Sequence, residues 1–134
     1  MFTYGGVILV TASSFGEFLH MVRIRQKGAQ LAKNAGISYV YLLDIEKGAR
    51  PVPTKKTLIA LANNLVFENG ERETFFDYAA KEKNEVPADI TEYISENDEL
   101  INIIRHIKSK NLTDKCWASL FQYIQNTFDE EKTV

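Results

Sequence analysis

Leu31-Ala32-Lys33-Asn34-Ala35-Gly36-Ile37-Ser38-Tyr39-Val40-Tyr41-Leu42-Leu43-Asp44-Ile45-Glu46-Lys47-Gly48 is the stretch on which the fold turns. Two short helices that cross steeply need a small residue where one backbone nears the other, and Ala32 supplies it. The tight turn between them needs a residue that tolerates positive φ, which Gly36 provides. Leu31, Ile37, Leu42 and Ile45 fall at offsets that let them share a small core and fix the crossing. Ser38 is a suitable N-cap for the second of the two helices, and Lys47-Gly48 suits its C-terminal end. By chance this conjunction is uncommon. It predicts a helix-turn-helix.

Working outward, residues 15–80 read as five helices. Ser14 caps the first, in which Phe15, Phe18, Leu19 and Val22 follow helical spacing. The second and third are the pair quoted above, the second starting near Gly28. Pro51 and Pro53 hold the next loop extended. Thr54 caps a fourth helix with Leu58, Ile59, Ala62 and Leu65 inward, and a fifth follows Asn69-Gly70 with Phe75, Phe76, Tyr78 and Ala79. The charged stretch Lys81 to Val86 reads as a linker. Beyond it, residues 87–134 read as a C-terminal helical region. There Pro87 precedes Ile90, Tyr93 and Ile94; Asn97 or Asp98 starts a helix with Leu100, Ile101, Ile103, Ile104 and Ile107. Thr113 caps the last helix, with Trp117, Leu120, Phe121, Ile124 and Phe128 on one side. Residues 1–14 form a short β-prone arm: Thr3, Tyr4, Val7, Ile8, Val10 and Thr11 favour extended structure, broken by Gly5-Gly6. Such a strand needs a partner, a second copy of itself being one option. The fold class is all-α, with that arm as an appendage.

A chain of 134 residues with 45% apolar and 25% charged residues can build a core without a staple. The single cysteine, Cys116, excludes an intramolecular disulfide and a cysteine-rich zinc site, and fits a reducing compartment. The run Val7-Ile8-Leu9-Val10 is too short to span a bilayer and has no basic segment before it, so a cytoplasmic location and no membrane association are expected. The net charge of −2 conceals an asymmetry. His20 to Lys56 carries a net +6, from Arg23, Arg25, Lys27, Lys33, Lys47, Arg50, Lys55 and Lys56 against Asp44 and Glu46. Thr57 to Val134 carries −7. A polyanion is drawn to the first part and repelled by the second.

Enzymatic chemistry is not indicated. His106, Asp114 and Cys116 lack the base and oxyanion site that a nucleophilic cysteine requires, and Cys116 beside Trp117 reads as a small apolar residue. His20 has no second ligand at metal spacing, and no glycine-rich phosphate loop is present. No catalytic residue, metal or cofactor is expected.

At Gly36 to Gly48 and the Arg50-Pro51 loop after it, the chain resembles the XRE-like family, the lambdoid phage repressor and Cro type of helix-turn-helix regulator. The likeness covers roughly Ser14 to Ala80; a weaker one, through Tyr93-Ile94 and Thr113-Asp114…Trp117, is to C-terminal extensions on small bacterial and prophage members. The resemblance implies a five-helix DNA-binding domain whose third helix enters the major groove. On that mapping Tyr39, Val40 and Asp44 face base edges: Tyr39 to bond or stack, Val40 to meet a thymine methyl, Asp44 to accept from a cytosine amino group. Ser38 and Tyr41 would face phosphates, with Lys47, Arg50, Lys55 and Lys56 gripping the backbone. The amides after Thr54 would add a phosphate site. The family's pairing of Glu46 with an arginine of the first helix maps onto Arg23. Ala32, Gly36, Arg23 and Glu46 are thus structural.

Two departures stand out. The stretch between Arg23 and Leu31 is shorter than in the family, so Gly28 stands where a phosphate-contacting glutamine ordinarily begins the second helix, with Gln26 and Gln30 displaced. Leu43 replaces a residue that is often small and polar. Tyr39, Val40 and Tyr41 are bulky for an exposed face, and the core is an alternative place for Val40 or Tyr41.

The function expected is a sequence-specific transcriptional repressor that binds a pseudo-palindromic operator in double-stranded DNA as a homodimer. The alternative is an antitoxin or phage-type adaptor that works through protein contacts of the C-terminal helices. The apolar stripes of those helices fit either packing on the first domain or a dimer interface.

Overall fold

The computed structural model describes residues 3–4, 7–8 and 12–129. Helix α1 spans Phe15–Arg23 and α5 spans Glu71–Lys83; they form one side of the core. The start of α1 is fixed reciprocally: Ser14 Oγ accepts from the Glu17 amide at 3.2 Å, and Glu17 accepts from the Ser13 amide and hydroxyl at 2.8 and 2.7 Å. One of the four amides that a helix N-terminus leaves open, that of Glu17, is thereby engaged by the cap, and the residue before the cap is tied back to the first turn. Phe15, Phe18, Leu19 and Val22 are then buried. Aromatic rings join the two helices, with Phe15 and Phe75 centroids 5.1 Å apart and Phe18 and Tyr78 stacked at 5.2 Å. Such pairs contribute about 0.5–1.5 kcal/mol each beyond their burial. The Tyr78 hydroxyl, on a ring otherwise inside, donates to the Ala12 carbonyl.

Between these helices in sequence lie α2 (Gly28–Ala35), α3 (Tyr39–Glu46) and α4 (Lys55–Asn64). Gly36 ends α2 at φ 75° and Gly48 follows α3 at φ 77°, the left-handed conformation expected at both turns. Leu31, Ala32, Leu42 and Ile45 are buried, while Ile37 packs against the same core from its edge. Leu58, Leu61 and Ala62 of α4 and Leu65 just beyond it complete the core, with Ile59 only partly buried against it.

The charged stretch read as a linker is partly helix: α5 continues through Lys83. Its charges have long-range partners, since Glu82 Oε1 accepts from the Phe15 amide at 2.8 Å and Lys83 Nζ donates to the Pro53 carbonyl at 3.2 Å. Asn84, in the left-handed region at φ 54°, ends the helix.

The chain forms two compact units, Met1–Tyr93 and Ile94–Val134. Helix α6, Ala88–Ser95, crosses that division, and Ala88 packs against the core of the first unit. The second unit holds α7, Asp98–Lys110, capped by Asn97, which accepts from the Leu100 amide at 3.1 Å. It also holds α8, Asp114–Phe128, capped by Thr113, which accepts from the Cys116 amide at 3.4 Å. No residue of α7 or α8 is buried. At the other end of the chain, β1 (Thr3–Tyr4) and β2 (Val7–Ile8) pair antiparallel, Thr3 opposite Ile8 and Tyr4 opposite Val7. Gly5-Gly6, Val10 and Thr11 lie outside the described residues. Among the described residues no helix is long and apolar enough to cross a membrane.

Candidate nucleic-acid interface

Helix α3 is anchored on its inner side and presented on its outer one. Ser38 Oγ accepts from the Tyr41 amide at 3.0 Å, which fixes where the helix begins. Leu42 and Ile45 are buried, whereas Val40 is 69% and Tyr39 41% exposed. Asp44 is half-buried, and the Arg50 guanidinium lies 4.0 Å from its carboxylate. Tyr41 packs partly buried against the edge of the core, with the Arg50 guanidinium 5.8 Å from the ring centroid, whereas Val40 stays outside it.

Two contacts set the position of α3 against its neighbours. Arg23 grips Glu46 in a fork, Nε to Oε1 at 2.8 Å and Nη2 to Oε2 at 2.9 Å, and His20 Nδ1 lies 3.0 Å from Oε1. Glu46's hydrogen bonds hold the Arg23 guanidinium charged, raising its pKa above the ordinary value. The expected first-helix arginine is therefore in place, joined by a histidine that spacing did not single out. The second contact is steric. Gly16 of α1 sits so near the end of α3 that a Cβ there would lie 2.6 Å from the Ile45 carbonyl oxygen.

The proposed phosphate ligands lie on the segments flanking α3. Lys47 is exposed at its C-terminal end, Arg50 in the loop beyond, and Lys55 and Lys56 in the first turn of α4. Thr54 takes the N-cap position of α4, but its side chain makes no capping bond there, contrary to the expectation. Ser38 is exposed at the opposite end of α3.

The charge asymmetry needs one revision. Arg25, counted among the free cations, is bound by both carboxylate oxygens of the buried Glu71, Nη2 to Oε2 at 2.9 Å. With Arg23 held by Glu46, two of the eight cations of that segment serve the fold. Gln26 is likewise structural: its amide donates to the Asn64 carbonyl at 2.9 Å and accepts from the Val66 amide at 2.9 Å. Gln30 bonds Asn34 on the exposed side of α2. Neither glutamine stands at the start of α2. That position belongs to Gly28, and the ring of Tyr39 lies against it. A cavity of about 370 Å³ between Lys55, Leu58, Ala80, Lys83, Val86 and Ala88 was not foreseen from sequence, because residues far apart in the chain enclose it.

An outward-facing second helix behind a glycine turn, tied to a helical core and flanked by exposed cations, defines a helix-turn-helix of DNA-binding kind. Residues 21–65, about a third of the chain, match the family model described as Helix-turn-helix, a match that supports an XRE-like helix-turn-helix. With that match the protein is a DNA-binding transcriptional regulator. No curated protein and no solved structure matches the chain.

Proposed function

We propose that the protein is a sequence-specific repressor that binds a pseudo-palindromic operator as a dimer, with Ser38 to Lys47 in the major groove. The exposure of Tyr39 and Val40 on a helix whose opposite side is buried carries this reading. Large apolar and aromatic side chains on an outer helix face are costly to leave in water and favour a surface that covers them. Tyr39, Val40 and Asp44 meet base edges, and Ser38, Tyr41, Lys47, Arg50, Lys55 and Lys56 meet phosphates. Half-sites then lie roughly 34 Å apart on one face of the duplex, and repression follows from excluding polymerase.

The test is selection of bound duplexes from a random pool, followed by mobility-shift titration of the winner across salt concentration. A palindromic consensus and a steep fall of affinity with salt are expected, because each neutralised phosphate releases counterions. Selection that returns no consensus sinks the sequence-specific reading, and a flat salt dependence removes its electrostatic half.

A further inference from the structure

We propose that the cavity enclosed by α4, α5 and the start of α6 is the binding site of a small apolar carboxylate, which competes with DNA for Lys55. Leu58 of α4 and Ala80 of α5 are buried and form its inner wall, and Ala88 of α6 packs against the core beside them. Ala80 and Ala88 carry one methyl each, which leaves space that larger side chains would fill. Val86, 58% exposed, is the part of the wall open to water. At about 370 Å³ the cavity falls within the range of small-molecule sites, which are mostly apolar with a few polar groups that fix orientation.

The polar groups of the wall select an anion. Lys83 donates to the Pro53 carbonyl and lies 3.5 Å from Glu85, the acid that lines the cavity. Those two charges offset each other. Lys55 lines the cavity too, is exposed, and has no ion-pair partner among the described residues. The Thr91 hydroxyl is already donated to the Pro87 carbonyl at 3.0 Å. One ammonium is thus left for a ligand, and it calls for a charge-assisted bond from a carboxylate. The apolar tail lies on Leu58, Ala80, Val86 and Ala88. An alcohol with the same tail forgoes the ionic bond, and an amine meets like charge. Lys55 is also the residue proposed above to hold a phosphate. A carboxylate on it neutralises the cation and sets a negative charge beside the DNA backbone, so acid and duplex weaken each other's binding by the same factor. The competition rests on the DNA-binding reading; occupancy of the cavity does not.

Calorimetric titrations of the full chain with octanoate, 1-octanol and octylammonium test the site, since the three probes share one tail. Saturable binding of octanoate is expected, with the alcohol and the amine weaker by about tenfold or more. Ala88→Leu fills the space, and Val86→Glu sets an acid at its mouth. Each should weaken octanoate by about tenfold or more. Val86 is exposed, so its replacement leaves the fold intact even where the larger side chain at Ala88 does not. Mobility shifts on the selected duplex then read the competition. Saturating octanoate should weaken wild-type binding roughly fivefold or more, and leave the affinities of Ala88→Leu and Val86→Glu where they stood without it. Absence of saturable octanoate binding, equal binding of the alcohol or the amine, or binding that survives both substitutions overturns the site. A duplex affinity indifferent to bound octanoate overturns the competition. The titrations contain no DNA and the shifts without octanoate test the duplex alone, so failure of this site and failure of the DNA-binding reading are told apart.

Discussion

The first residue of α2 and the first residue of α3 interlock: a Cβ on Gly28 would stand 2.6 Å from Cε1 of Tyr39. The absence of a side chain at the one position makes room for the ring at the other. Tyr39 is thus an outward residue whose direction is set partly from behind. This gives the short connection after Arg23 a physical consequence. Where the resemblance places a glutamine aimed at phosphate, the chain has a seat for a residue proposed to read a base.

Gly28→Ala should change recognition more than stability. The atom it meets belongs to a half-exposed ring that can swing away, and alanine favours helix over glycine by about 0.5–1 kcal/mol. Unfolding stability is expected within about 1 kcal/mol of wild type, while preference at the base pair beneath Tyr39 relaxes. Because both act through the ring, Gly28→Ala should add nothing to the loss of specificity in Tyr39→Ala. Additive losses in a double-mutant cycle on operator variants would disprove the coupling.

Gly16→Ala should do the opposite. Here the added methyl meets backbone, the Ile45 and Glu46 carbonyl oxygens at 2.6 and 2.7 Å, and neither can rotate aside. Helix α1 must part from the end of α3, which strains the fork between Arg23 and Glu46. A loss of about 1–3 kcal/mol is expected, in the range of overpacked cores. Urea unfolding measures it directly; an unchanged midpoint would mean that the helices are not in such close approach.

What sequence conveyed and what it withheld divide along chain distance. The caps at Ser14, Ser38, Asn97 and Thr113 and the turns at Gly36 and Gly48 are local, so the residues that make them are neighbours in the chain. The buried faces of α1, α3 and α4 follow from helical periodicity for the same reason. Long-range partners left no such signal. Arg25 and Glu71 are 46 residues apart and Phe15 and Glu82 are 67 apart, so spacing gave no reason to remove Arg25 from the free cations or to extend α5 through Lys83. At the candidate site the resemblance implied that Tyr39 faces outward, while sequence left open whether Val40 or Tyr41 enters the core; Val40 is the exposed one of the two. The fine aim of Tyr39 was not legible, because Gly28 on another helix sets it.

The pairing of Arg25 with Glu71 makes stability depend on pH in a stated direction. Arg25's hydrogen bonds, the largest cause, hold the Glu71 carboxyl below its ordinary value of 4.5. A depressed folded pKa stabilises when the group is ionised in both states, so the contribution is full above about pH 4.5. It is lost as pH falls through the folded value. Glu71→Gln should therefore be less stable than wild type at pH 7, and the gap should narrow on acidification below pH 4.5. Urea midpoints of both proteins at several pH values check this. A gap that stays constant into acid would show that Glu71 acts by shape rather than by charge.

On the DNA side, Lys55 and Val40 should fail in different ways when replaced. Lys55 is exposed at the start of α4 and its proposed partner is a phosphate, the same on every sequence. Lys55→Ala should weaken operator and random duplex alike and lower the salt slope by about one. Val40, 69% exposed on α3, is proposed to touch a thymine methyl. Val40→Ala should leave the salt slope alone and cost affinity only where that thymine is present, about 1 kcal/mol for the lost apolar contact. Replacing the thymine by uracil, which lacks the methyl, should erase the difference between valine and alanine. Were the difference to survive on uracil, Val40 would be acting on the shape of α3 and not on the base.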